Sequence, residues 1–109
     1  MLGLMQKQPL LVSNLLSFAE RHHGDSEIVS RRVEGDLHRC TYRDVARRAR
    51  QLANALDAWG ELPGARIGTL AWNGYRHLEL YYAAGGSGRV VHTLNPRLHP
   101  EPVSYTHLR

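Results

Sequence analysis

The chain has 109 residues, 42% of them hydrophobic and 22% charged, a balance that suits one globular domain or part of one. It argues against a disordered chain, a collagen-like repeat or a membrane protein. Fourteen Lys and Arg against ten Asp and Glu leave a net charge of +4 without any basic tail, and the lone Cys40 excludes an internal disulfide framework.

Residues 1–10 read as an N-terminal extension. The opening MLGLMQKQPLLVSN lacks an early basic region and a long apolar core, with Pro9 where such a core would run. The apolar stretches fall short of the ~20 residues that span a bilayer, and no Asn-x-Ser/Thr acceptor occurs. The expected compartment is therefore the cytoplasm.

Leu11, Val12, Leu15, Leu16 and Ala19 recur at helical spacing, and Arg21, His22 and His23 precede Gly24, so a helix is predicted over about 12 to 23. Basic residues in its last turn suit the negative end of the helix dipole. His22 and His23 are adjacent and point apart, which makes them a poor metal pair. The runs EIVSRRV and LHRCTY, separated by Glu34, Gly35 and Asp36, predict a hairpin with Arg31, Arg32 and Arg39 on a solvated face.

Thr41 and Asp44 have capping-box spacing, and the clearest helix follows. Val45, Ala49, Leu52, Ala53 and Leu56 form its apolar stripe; Arg43, Arg47, Arg48 and Arg50 lie on the other side, and Gly60 ends it. After a turn at Leu62, Pro63 and Gly64, RIGTLAW reads as a strand. Asn73 and Gly74 break it, Tyr75 to Gly86 reads as a helix buried on more than one side, and RVVHTL as a second strand. Strand, helix and strand make a βαβ unit with parallel strands, which need cover on both faces and neighbouring strands. The sequence supplies too little of either, so the fold class is α/β with an incomplete parallel sheet. Pro100, Glu101 and Pro102 have the composition of another helix start.

Chemistry-bearing motifs are scarce. Gly85, Gly86 and Gly88 follow a helix and precede a strand, the reverse of the order that points amides at a phosphate. His38, His77, His92, His99 and His107 do not fall at zinc spacing. Cys40, at the end of an apolar strand, reads as a buried inert thiol, and Trp72, Tyr75, Tyr81 and Tyr82 as core. Asn73 differs, because it follows a parallel strand at its carboxyl end, where open α/β sheets place ligands.

The run LAWNGYRHLELYYA, from Leu70 to Ala83, followed by HTLNPRL, from His92 to Leu98, closely resembles the N-terminal subdomain of bacterial medium- and long-chain fatty-acid CoA ligases, members of the AMP-forming, adenylate-forming superfamily. The helix, strand pair, Ala/Arg helix and Pro-Gly turn upstream follow the same order. The resemblance spans about Leu11 to Glu101 and implies part of the large domain of such an enzyme, with residues 11–102 as its partial N-terminal subdomain. Ala65, Gly68, Arg89 and Pro102 depart from the family pattern. The final VSYTHLR, residues 103–109, also resembles translated sequencing-adapter sequence and is read as a sequence artefact.

The resemblance implies activation of a carboxylate by ATP, with Mg2+, to an acyl-adenylate, then thioester formation with coenzyme A. It implies that the phosphate loop, adenine and ribose contacts and catalytic Lys lie beyond residue 109. No catalytic, cofactor-binding or metal-ligating residue is carried over, no cofactor is expected on this chain alone, and the chain alone is expected to be inactive. The partners implied are a small-molecule carboxylate, ATP and CoA, without nucleic acid or a transmembrane segment, and the resemblance admits a homodimer. The alternative reading is a free-standing α/β binding or interaction module that uses the basic helix face on an acidic partner.

Overall fold

The structure, a computed structural model, describes residues 3–97. Seven elements follow in order: α1 (Val12–His23), β1 (Glu27–Arg31), β2 (Leu37–Thr41), α2 (Tyr42–Ala58), β3 (Arg66–Leu70), α3 (Tyr75–Gly86) and β4 (Val90–Leu94). They form the expected antiparallel hairpin, β1 with β2, and a separate parallel pair, β3 with β4. Pro100, Pro102 and the 103–109 tail lie outside the described residues.

The N-terminus of α2 forms as its sequence dictates. The Thr41 hydroxyl accepts from the Asp44 amide, and the Asp44 carboxylate accepts from the Thr41 amide at 3.0 Å, so two of the helix's open donors are satisfied reciprocally. Val45, Ala46, Ala49 and Leu56 are then buried. Gly24 is required by closeness, since a Cβ there would lie 2.6 Å from the Glu20 carbonyl oxygen and 2.8 Å from an Arg43 nitrogen.

The core gathers around α3, which packs on α2, α1, β4 and β1. Cys40, Val45 and Tyr75 form the buried cluster, with Leu16, Ile28 and Leu78 packed against it. The predicted stripe of α1 is only partly used. Leu16 turns inward, whereas Leu11, Val12, Leu15 and Phe18 stay exposed, and no α1 residue is fully buried.

Helix α3 buries different side chains from those its composition suggests. Tyr75, His77, Glu79, Ala83 and Ala84 are buried, while Tyr81 is exposed. Two polar groups are admitted because each finds a partner: Arg48 Nε donates to Glu79 Oε1 at 2.7 Å, and His77 Nε2 is hydrogen-bonded to Thr69 Oγ1 at 3.0 Å.

The parallel pair is covered by α3 on one side. Its register sets Ile67 beside Val91 and Gly68 beside His92, so Thr69, bonded to His77, marks the inner face. Alternation puts Arg66, Gly68 and Leu70 with Val90, His92 and Leu94 on the outer face. Leu70 is 68% exposed and Val90 50%, and a Cβ at Gly68 would meet no atom within 4 Å. Among the described residues, the cover that the parallel strands call for is thus present on one face only, as the sequence implied.

Candidate functional site

At the carboxyl ends of β3 and β4 the chain forms an open cleft of about 550 Å³. Ala71 and Leu94 line it where the strands end, followed by Trp72 and Asn73 from one loop and Asn95, Pro96 and Arg97 from the other. His77 and Tyr81, one helical turn apart, line it from α3. Asn73 is the residue singled out by its place after a parallel strand, and the structure puts it in this cleft. Its position conforms to the rule that open α/β sheets bind ligands beyond the carboxyl ends of their strands.

The aromatic residues divide. Tyr75 is core, stacked on His38 with ring centroids 3.6 Å apart and 10° between planes. Trp72 and Tyr81 are not core, contrary to the sequence reading: both are exposed and line the cleft, with the Arg97 guanidinium 5.4 Å from the Trp72 ring centroid. The reason is topological, because both sit where strand ends lack further cover. His77 was missed as a lining residue; its i, i+4 spacing to Tyr81 was the available signal. Its Nε2 is committed to Thr69, and its buried Nδ1 has no hydrogen-bond partner among the described residues.

The basic face of α2 is largely neutralised. Arg43 pairs with Asp25, Arg50 with Glu20, Arg48 with Glu79, and Arg47 approaches Asp44 at 3.6 Å. On the hairpin, Arg39 pairs with Glu27 on the solvated side as expected, whereas Arg32, which pairs with Asp36, lies just past β1 and is half-buried, contrary to the sequence reading. Each of these guanidiniums faces a carboxylate of this chain, so the surface does not present the row of unmatched positive charge that a polyanion recognises.

Cys40 is buried, and burial is the first cause pushing its thiol above the ordinary range, with the Asp44 and Glu79 carboxylates adding to it. A thiol so placed is a poor nucleophile. Among the described residues, no three His, Cys, Asp or Glu side chains converge as a metal site, and no helix is long and apolar enough to cross a membrane.

Comparison with known proteins places these features. The pattern of the AMP-binding enzyme family matches residues 16–107. The chain is 52% identical over 105 residues to the 3-methylmercaptopropionyl-CoA ligase of Ruegeria lacuscaerulensis, covering 96% of this chain and 20% of that protein. It is 46% identical to the medium-chain-fatty-acid–CoA ligase of Ectopseudomonas oleovorans, covering 96% of this chain and 19% of the relative. Among solved structures, VinN superposes with a TM-score of 0.72 at 25% identity over 84% of this chain and 23% of that one. The chain spans about a fifth of the length of the curated relatives it matches.

Among the described residues, those lining the cleft do not form a site for ATP with Mg2+. A hard divalent cation takes oxygen ligands, carboxylates foremost, and no Asp or Glu lines the cleft. Gly85 and Gly86 close α3, and Gly88, at φ 78°, turns the chain into β4, so this glycine cluster does not cradle a phosphate at a helix start.

Proposed function

From the premise that this chain belongs to the AMP-binding enzyme family, we propose that its residues 11–102 are the partial N-terminal subdomain of an ATP-dependent fatty-acid CoA ligase acting in the cytoplasm. The reading assigns the parent a carboxylic acid, ATP and CoA as reactants, and an acyl-CoA thioester as product. The observation that carries it is the 52% identity to a CoA ligase across nearly the whole chain. The fold supports the same assignment, since most of this chain superposes on VinN.

Within that enzyme this chain is scaffold. Two ion pairs with one buried partner each, Glu79 with Arg48 and Arg89 with Asp57, fix α2, α3 and the start of β4 against one another. The chemistry demands charge stabilisation around a triphosphate and alignment of a carboxylate with phosphorus, and the cleft has no group set suited to either. The 109-residue chain alone is therefore inactive in this reading. The ion pairs on α2 count against the alternative of a basic binding module.

The test is a hybrid in which this chain replaces the aligned segment of the Ruegeria lacuscaerulensis ligase. With ATP, Mg2+ and CoA, the hybrid is expected to form CoA thioester from 3-methylmercaptopropionate or octanoate, while the 109-residue chain forms none. A folded hybrid that releases no AMP with either acid overturns the reading. Turnover by the chain alone overturns its scaffold role.

A further inference from the structure

We propose that Asn73 is a site of self-modification: the Gly74 backbone nitrogen closes on the Asn73 side-chain amide, ammonia leaves, and water opens the ring to aspartate or isoaspartate. The cleft thereby gains a carboxylate. The inference stands on the junction of Asn73 with Gly74 and holds whichever reaction the family reading assigns.

The chain has four asparagines, and their neighbours separate them. Asn14 lies in α1 before Leu15 and donates through Nδ2 to the Pro9 carbonyl oxygen, and Asn54 lies inside α2 before Ala55. Asn95 precedes Pro96, whose nitrogen has no proton to lose, and its Oδ1 accepts from the Arg97 amide. Asn73 alone precedes a glycine, and it is exposed in the bend between β3 and α3. Gly74 is the N-cap of α3: its carbonyl accepts from the Leu78 amide, while its own nitrogen stands ahead of the helical ladder. A Cβ at Gly74 would meet no atom within 4 Å, so space is open around the nitrogen that must swing toward the side chain.

The bonds balance without oxidation or reduction. The Gly74 nitrogen loses its proton and bonds to Asn73 Cγ, the Cγ–Nδ2 bond breaks, and Nδ2 departs with that proton as ammonia. Water then adds to one of the two ring carbonyls. Opening at Cγ leaves aspartate on an ordinary backbone, whereas opening at the Asn73 main-chain carbonyl carbon leaves isoaspartate, with the chain routed through Cγ.

Negative charge builds first on the Gly74 nitrogen and then on an oxygen at Cγ, and the surroundings are electropositive. Asn73 lines the cleft and also an adjoining hollow of about 250 Å³ to which Arg31, Arg32 and Arg76 contribute. Asp36 and Glu34 balance Arg32 and Arg76, but Arg31 donates to the Gly35 carbonyl oxygen instead of a carboxylate. The first turn of α3 holds no acidic residue and Gly74 supplies no side-chain cap, so the positive end of the helix dipole adds to that charge. The same field favours the product, whose carboxylate is the only one among the described residues lining the cleft.

The experiment incubates the folded 109-residue chain at mildly alkaline pH in heavy-oxygen water and maps its peptides by mass spectrometry. Exchange of nitrogen for labelled oxygen is expected at Asn73 and not at Asn14, Asn54 or Asn95. Isoaspartate at that position is expected to accept a methyl group from S-adenosylmethionine through a protein isoaspartyl methyltransferase. Gly74→Ala has extended backbone and open space for its methyl group, so it keeps the far-ultraviolet circular dichroism and slows conversion by on the order of tenfold or more. High salt screens the local field and is expected to slow conversion in the folded chain but not in the urea-unfolded chain. Conversion in urea with none in the folded chain overturns the proposal, because the fold then protects the junction. An unchanged rate in Gly74→Ala overturns the ring closure, equal conversion at Asn14 or Asn54 overturns the selectivity, and a folded-state rate indifferent to salt overturns the part played by the field.

Discussion

Arg89 Nη2 donates to Asp57 Oδ1 at 2.6 Å, and the two partners stand in opposite environments: the arginine side chain is 2% exposed and the carboxylate 66%. The guanidinium also donates to the Glu61 carbonyl oxygen and to Ser87 Oγ at 2.8 Å, so it closes the end of α2, the following loop and the start of β4 into one joint. Loss of either partner is therefore unequal. Arg89→Ala leaves a void and an unpaired carbonyl and is expected to cost about 2–4 kcal/mol. Asp57→Ala leaves the buried guanidinium to the Glu61 carbonyl and the Ser87 hydroxyl without a carboxylate, and is expected to cost about 1–2 kcal/mol, less than Arg89→Ala because no void opens. Urea unfolding of the two variants checks the order, and equal losses would show that the joint depends on the ion pair rather than on the buried guanidinium.

Glu79 presents a second asymmetry, because its buried carboxylate faces an Arg48 that is half in water. Arg48→Ala strands the carboxylate and is expected to destabilise the chain by about 2 kcal/mol, more than an exposed helix position normally allows. Replacing both residues by Met removes the stranded charge and is expected to recover most of that loss. A double-mutant cycle in thermal unfolding reads the coupling; additive effects would remove the pair from the account of α2–α3 packing.

The local features were legible in sequence and the distant ones were not. Thr41 and Asp44 are three residues apart, so the capping box announces itself by spacing, and the βαβ order follows from run length and turn residues. Arg48 and Glu79 are 31 residues apart, and Arg89 and Asp57 are 32. Which charges are buried depends on which helices meet, and periodicity along one helix does not contain that information. The same holds for the cleft: Asn73 carried a topological signal, whereas Trp72 and Tyr81 read as core because a lone aromatic does not reveal whether another element covers it. Arg89 did stand out as a departure from the family pattern, and its burial at a three-way joint is the structural content of that departure.

Gly24 supplies a test of backbone crowding rather than of conformation. Its φ of −56° is open to any residue, yet a Cβ there runs into the Glu20 carbonyl oxygen. Gly24→Ala is expected to lower stability by about 1–3 kcal/mol by pushing α1 away from the start of α2. Gly68→Ala, with open space where the Cβ goes, is expected to be neutral or slightly stabilising in the isolated chain. Matched thermal melts decide it: a neutral Gly24→Ala would mean that α1 is free to shift at its C-terminus.

Acid sensitivity follows from the paired carboxylates. Glu20 is held below its ordinary 4.5 chiefly by the hydrogen bond from Arg50, and Glu34 by that from Arg76. Asp36 is held below 3.8 by the hydrogen bond from Arg32, and Asp44 by the Thr41 amide and hydroxyl. For each group the folded value lies below the unfolded one, so the unfolded chain binds more protons as pH falls. The stability each contributes is complete above its unfolded value and disappears as pH drops through its folded value. Urea midpoints are therefore expected to be insensitive to these four groups from pH 7 to about pH 5.5, and to fall progressively below about pH 4.5. Asp44→Asn removes one linked proton and is expected to make that fall shallower, while costing cap strength at every pH. A chain that gained stability below pH 4, or an Asp44→Asn variant with an unchanged acid slope, would show that these carboxylates are as free in the folded chain as in the unfolded one.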